Sequence, residues 1–256
     1  MKKTDFITTI EARMTSSRLP GKVLKEINKM TSLEILFSRI YKSKYINKII
    51  VATTINDEDS AIVEVAKKNN VDYYRGSEED VLGRLSNSLK DSAEKYVIQL
   101  TGDNPIIDPT IIDYMVEYFI ENEYDFITNN GLMNLNDHLI PLGMDVSIFK
   151  RKDLIDISSI TKDNEDREHP TLYFYRTGKE KFKIKNVPIP KKWINKNNYR
   201  LTLDTEEDFY VISKICNFFF NNISSFSLEE IYSYLDNNPD IAQFNNMIKH
   251  KIPSGL

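Results

Sequence analysis

A short apolar run, Phe6 to Ile10, opens directly into the loop ARMTSSRLPGKVL, residues 12–24. Four cations fall in this loop and just beyond it: Arg13, Arg18, Lys22 and Lys25. No acid interrupts them between Glu11 and Glu26. Thr15, Ser16, Ser17, Pro20 and Gly21 keep the backbone between them small and turn-prone. A buried strand ending in such a loop sets guanidinium, ammonium and backbone N–H groups around one concave point, an arrangement that suits several phosphates at once. The Walker spacing is absent, since Gly21-Lys22 is followed by Val23. Taken alone, the loop also reads as an ordinary solvated turn.

The rest of the first half alternates strand and helix. Ile49 to Ala52, Val71 to Tyr74, Tyr96 to Leu100 and Tyr124 to Thr128 read as strands. Leu33, Leu36, Phe37 and Ile40 recur at helical spacing. Asp57 opens a helix carrying Ala61, Ile62, Val65 and Ala66. Asp80 to Leu89 reads as a helix. Asp108 caps another, with Pro109 in its first turn. Short connections between such units predict a mostly parallel sheet with helices on both faces, whose ligands bind beyond the carboxyl ends of the strands. In the second half Met144 to Phe149, Phe182 to Val187 and Tyr199 to Leu203 read as strands. A helix lies within Asp163 to Thr177, Thr205 caps a long helix, and a final one covers Leu228 to Leu235. The expected architecture is one domain over residues 1–256, with a small inserted lobe at roughly 129–200.

The net charge of −4 argues against a nucleic-acid partner. The single cysteine, Cys216, precludes an internal disulfide, reads as a core residue and suggests a reducing, cytoplasmic setting. Lys2 and Lys3 are followed by no long apolar run, so neither a signal peptide nor a membrane span is expected. His138, His169 and His250 have no zinc-like spacing with each other or with Cys216.

Two acids stand at predicted strand ends. Asp103 follows Gly102 after Tyr96 to Leu100, and Asp204 closes Tyr199 to Leu203. Gly-Asp-Asn-Pro is also good turn composition, and Asp204 could be a capping carboxylate. Two acids at separate strand ends could jointly hold one Mg²⁺, with waters and phosphates completing the octahedron.

The segments ARMTSSRLPGKVL, IIVATTINDED, YYRGSEEDVLGR, IQLTGDNPIIDP and LTLDTEEDF, in this order, resemble the cytidylyltransferase family. That family includes enzymes that activate ketodeoxyoctulosonate and sialic-type acids as CMP-sugars. The likeness is nearest to its spore-coat polysaccharide group, which also shows segments like PLGMDV (141–146) and REHPT (167–171). The resemblance implies a Rossmann-like α/β fold of the nucleotidyltransferase and GT-A type. It implies CMP transfer from CTP with Mg²⁺ to a small acceptor, in a homodimer. Carried over by motif, Lys22, Arg18 and Asp103 are the catalytic candidates. Ala12, Arg13, Gly21, Thr53, Arg75, Ser77, Arg84 and Thr101 join Arg18 and Lys22 around the nucleotide. Asp145, Arg167, Glu168 and His169 line the acceptor side, and Asp103 and Asp204 hold the metal. Thr101 stands where the octulosonate enzymes carry Gln, and Leu142 where Asp is common. The rival readings are a sugar-1-phosphate nucleotidyltransferase using another base, such as GTP, and a GT-A-type glycosyltransferase.

Overall fold

A computed structural model describes residues 5–131 and 138–248. Residues 132–137 of the expected lobe lie outside that range, as do Lys2, Lys3 and His250. The strands are β1 (Phe6–Glu11), β2 (Glu26–Ile27), β3 (Met30–Thr31), β4 (Ile49–Thr54), β5 (Asp72–Gly76), β6 (Tyr96–Thr101), β7 (Phe126–Thr128), β8 (Ser147–Lys150) and β9 (Ile184–Asn186). The α-helices are α1 (Ser32–Ile40), α2 (Ser60–Lys68), α3 (Val81–Ser88), α4 (Pro109–Glu121), α5 (Arg151–Ile160), α6 (Asn164–Glu168), α7 (Leu172–Tyr175), α8 (Glu206–Phe218), α9 (Leu228–Asp236) and α10 (Pro239–Ala242).

Seven strands form one sheet in the order β5-β4-β1-β6-β8-β7-β9, while β2 and β3 pair separately. β5, β4, β1 and β6 are parallel neighbours. β8 runs antiparallel to both β6 and β7, and β9 pairs parallel with β7. The sheet is therefore mixed, with a parallel half that carries the first strand and its loop.

Alternation along β1 divides the core. Phe6 and Ile10 pack with Leu36 of α1, Ile112 of α4 and Ile212 of α8. Ile7 points the other way, to Leu82 of α3, Leu154 of α5 and Phe174 of α7. Both faces are covered by helices, which buries the sheet as a parallel architecture requires. Cys216 is fully buried in the first cluster. Among the described residues no helix is long and apolar enough to cross a membrane.

Helix starts follow the sequence signals. Asp108 accepts from the Thr110 N–H with Pro109 next in line. Thr205 and Asp208 form a reciprocal capping box at α8. Asp57 opens a 3₁₀ turn, Asp57–Asp59, rather than α2 itself. The expected helix within 163–177 is two short ones, α6 and α7.

One expected strand is absent. Residues 199–203 alternate as a strand would, yet no neighbour among the described residues pairs with them as a ladder. Single bonds hold them instead: Leu201 N–H to Leu142 O and Leu203 N–H to Asp103 O, both 2.8 Å. The first bond needs Gly143, which sits at φ +103°. A Cβ there would lie 2.4 Å from the Leu201 carbonyl. The segment 129–200 also contributes to the main sheet, since β8 and β9 join it.

Candidate active site

The carboxyl ends of β1 and β6 open on a cleft of about 1100 Å³, lined among others by Arg18, Lys22, Arg84, Thr101, Asp103 and Asp204. That is ample room for a nucleotide and a second small molecule. Strand β1 delivers the basic loop to it. Gly21, at φ +70°, turns the chain into a 3₁₀ turn, Lys22–Leu24, and its N–H donates to Met14 O at 2.8 Å. Gly21 thus shapes the loop through its backbone and presents Lys22.

The Lys22 ammonium donates to Asp103 Oδ2 at 2.8 Å and to Asp204 Oδ1 at 2.7 Å. Burial works against this ammonium, but the charges of the two aspartates outweigh it and hold its pKa above the usual lysine value. Arg18 reaches the other Asp204 oxygen at 2.9 Å. Burial likewise opposes the Asp204 carboxylate, and Lys22, Arg18 and Arg200 overcome it, so its pKa lies below the ordinary range.

Each aspartate has a residue that orients it. Thr101 donates its hydroxyl to Asp103 Oδ1 at 2.6 Å. Arg200 donates to Asp204 Oδ2 at 2.8 Å and to Asp208 Oδ1 at 2.9 Å. Asp208 in turn accepts from the Asp204 N–H at 3.0 Å. This leaves one oxygen of each aspartate facing a common cation. Hard oxygens from two chain segments aimed at one point fit a divalent ion whose shell is completed by water and phosphate. Among the described residues no group of three or more His, Cys, Asp or Glu could hold a metal.

The other expected residues divide into those in the cleft and those behind it. Ala12, Arg13, Arg84, Thr101, Asp145, Glu168 and His169 line the cleft. Arg13 pairs with Glu78 at 3.3 Å. Glu78 also accepts from the Thr15 hydroxyl, which together with Arg13 draws its pKa down. Asp145 holds His138 at 2.9 Å, so that burial of the imidazole is outweighed and its pKa raised. Thr53, Arg75, Ser77 and Arg167 are not among the lining residues. Thr53 is buried and donates to Asp59 Oδ2 at 2.8 Å. Arg75 clasps the carbonyls of Thr54 and Asn56 at 2.9 and 2.6 Å. Ser77 accepts from the Asp80 N–H, and Arg84 grips the Ser77 carbonyl. Arg167 bonds Asp80 Oδ1 at 2.9 Å and so ties α6 to the start of α3. In this arrangement these four bond to the protein around the cleft rather than line it.

Three residues escaped the sequence reading. Arg200 and Asp208 lie four residues either side of Asp204, a spacing that signals a possible charge triad. Glu11 ends β1 and was only a boundary in the charge pattern. It lines the cleft, takes a 2.8 Å hydrogen bond from Gln99, and burial pushes its carboxyl up to about 7.

Comparison with known proteins accords with this geometry. Residues 7–238 match the family model described as Cytidylyltransferase. The chain is similar to an uncharacterized protein of Methanocaldococcus jannaschii, 34% identical over 246 residues and 96% of each chain. It is 31% identical over 245 residues to the spore coat polysaccharide biosynthesis protein SpsF of Bacillus subtilis, covering 93% of this chain and 97% of that one. The solved structure of a cytidylyltransferase from Leptospira borgpetersenii serovar Hardjo-bovis resembles it with a TM-score of 0.84 at 33% identity, covering 96% of this chain and 99% of the other.

Proposed function

This chain belongs to the cytidylyltransferase family, and on that premise we propose that it transfers CMP from CTP to a sugar acid or a phosphorylated acceptor, releasing pyrophosphate. The observation that carries the reading is the convergence of Asp103 and Asp204, from distant parts of the chain, on the ammonium of Lys22. The similarity to SpsF, a spore coat polysaccharide biosynthesis protein, supports a place in surface polysaccharide or glycoconjugate synthesis. The same reading has the enzyme working in the cytoplasm on small molecules, as a homodimer.

Asp103 and Asp204 would hold Mg²⁺, which when bound neutralises phosphate charge and lowers the pKa of an acceptor oxygen. The chain's own residues do the rest. Lys22 has a flexible stem, so its ammonium can swing from the aspartates to the departing pyrophosphate. Arg18 follows from Asp204, and Arg13 from Glu78. The acceptor oxygen attacks the α-phosphorus in line while these cations hold the leaving charge. Each charge-assisted bond contributes about 1.5–3 kcal/mol, so several that tighten together supply a large part of the acceleration. Positioning supplies the remainder, with no covalent enzyme intermediate.

A pyrophosphate-release screen tests this. CTP with Mg²⁺ is offered with nonulosonic or ulosonic acids, sugar phosphates and small phosphorylated metabolites. Turnover with one class and CTP supports the reading. Turnover only with GTP, UTP or ATP replaces it by the rival nucleotidyltransferase.

A further inference from the structure

Resting on the reading of the cleft as a CTP site, we propose that Glu11 accepts a hydrogen bond from a ribose hydroxyl of the bound nucleotide and so fixes the sugar beside the reacting phosphorus.

The placement follows from register. β1 and β6 pair in parallel, with Glu11 opposite Thr101 and Thr9 opposite Gln99. Ile7 and Val97 share one apolar cluster, so the odd-numbered residues of both strands face the same side of the sheet. Glu11, Gln99 and Thr101 therefore form a polar floor at the strand ends. Thr101 holds Asp103, so Glu11 stands one strand away from the residue that addresses the phosphate. The chain runs from Glu11 straight into the loop of Arg13, Arg18 and Lys22. The part of a nucleoside triphosphate next to its α-phosphate is the ribose.

The chemistry is that of two unfulfilled groups. Glu11 Oε1 is taken by Gln99, whereas Oε2 is buried with no hydrogen-bond partner among the described residues. Arg84 Nε, on the facing helix α3, is buried and unpartnered in the same sense. The two do not bond each other, although each feels the other's charge. A buried polar atom without a partner costs about 1–3 kcal/mol, and a ligand that supplies one recovers it. A hydroxyl is the group that donates to a carboxylate while accepting from a guanidinium. The terminal torsion of a carboxyl is broad, so the unpaired oxygen can turn to the cleft that Glu11 lines. Burial pushes this carboxyl up to about 7, against the hydrogen bond from Gln99 and the charge of Arg84.

The test is a titration by calorimetry of Mg²⁺ with CTP, 2′-deoxy-CTP and 3′-deoxy-CTP into wild type, Glu11→Ala and Glu11→Met, neither of which keeps an oxygen acceptor. Thermal unfolding without ligand shows whether the variants fold, and the Met variant, of similar length, stands in where Ala does not. Wild type is expected to bind CTP about tenfold or more tightly than at least one deoxy analogue. In the variants that preference collapses toward unity, because hydroxyl and carboxylate are lost as one interaction. Variants that keep the wild-type preference overturn the role of Glu11 and leave the CTP reading intact. Wild type that binds no CTP overturns both.

Discussion

Lys22 and Asp204, separated by 182 positions in sequence, meet at 2.7 Å, and the same ammonium holds Asp103 at 2.8 Å. The contact joins the loop after β1 to the segment just before α8, at the carboxyl ends of β1 and β6. It brings one ammonium and two carboxylates to one point, an arrangement that suits phosphoryl chemistry.

Asp103→Asn and Lys22→Ala are expected to lower CTP-dependent pyrophosphate release by about 100-fold or more, in line with the loss of one preorganised charge contact in a transition state. Circular dichroism and thermal unfolding should show both variants folded. Wild-type turnover by Asp103→Asn would remove the aspartate from the chemistry.

Arg200 positions Asp204 from behind and is almost fully buried, as is Asp208. Arg200→Met leaves the buried Asp208 carboxylate without its guanidinium, while Asp204 keeps Lys22 and Arg18. Urea unfolding should show a loss of about 3–5 kcal/mol. A change below 1 kcal/mol would mean that the triad is not a structural support.

Gly143→Ala places a methyl against the Leu201 carbonyl, on a backbone that L-residues rarely adopt. The bond from Leu201 to Leu142 must break, and with it the seat of residues 199–203 beside Asp103. A loss of about 2–4 kcal/mol in urea unfolding is expected. Unchanged stability would contradict the close approach.

Much of this was legible beforehand for a physical reason. Short apolar runs alternating with helical periodicity can hardly be anything but strand and helix in layers, and caps such as Asp108 and Thr205 mark their own helices. Strand pairing is harder. Residues 199–203 have the alternation of a strand, but alternation says nothing about whether a neighbour is present. The antiparallel run of β8 between β6 and β7 is equally silent in sequence. Their places at two predicted strand ends first suggested pairing Asp103 with Asp204, and the family motifs then pointed to the same pair. The motifs also gathered Thr53, Arg75, Ser77 and Arg167, which bond to the protein around the cleft rather than line it. Glu11 went unnoticed because its importance lies in an unpaired atom, a property of the folded site only.

The raised Glu11 carboxyl makes a pH prediction. Its folded pKa of about 7 exceeds its ordinary value of 4.5, so the folded state binds the extra proton. Stability tied to this group is full below pH 4.5 and is lost as pH rises toward 7. Glu11→Gln removes that loss and should be more stable than wild type at pH 8, by up to about 3 kcal/mol. Equal pH slopes in wild type and variant between 4.5 and 7 would contradict the shift.

The central claim is that Asp103 and Asp204 serve a divalent ion carried with CTP. It is tested most directly by calorimetric titration of CTP into wild type and Asp204→Asn, each with Mg²⁺ and with a chelator. Mg²⁺ is expected to tighten CTP binding to wild type at least about tenfold and to have little effect on the variant, a coupling of about 1.4 kcal/mol. If Mg²⁺ strengthens CTP binding equally in both proteins, Asp204 does not hold the metal and the proposed site is wrong.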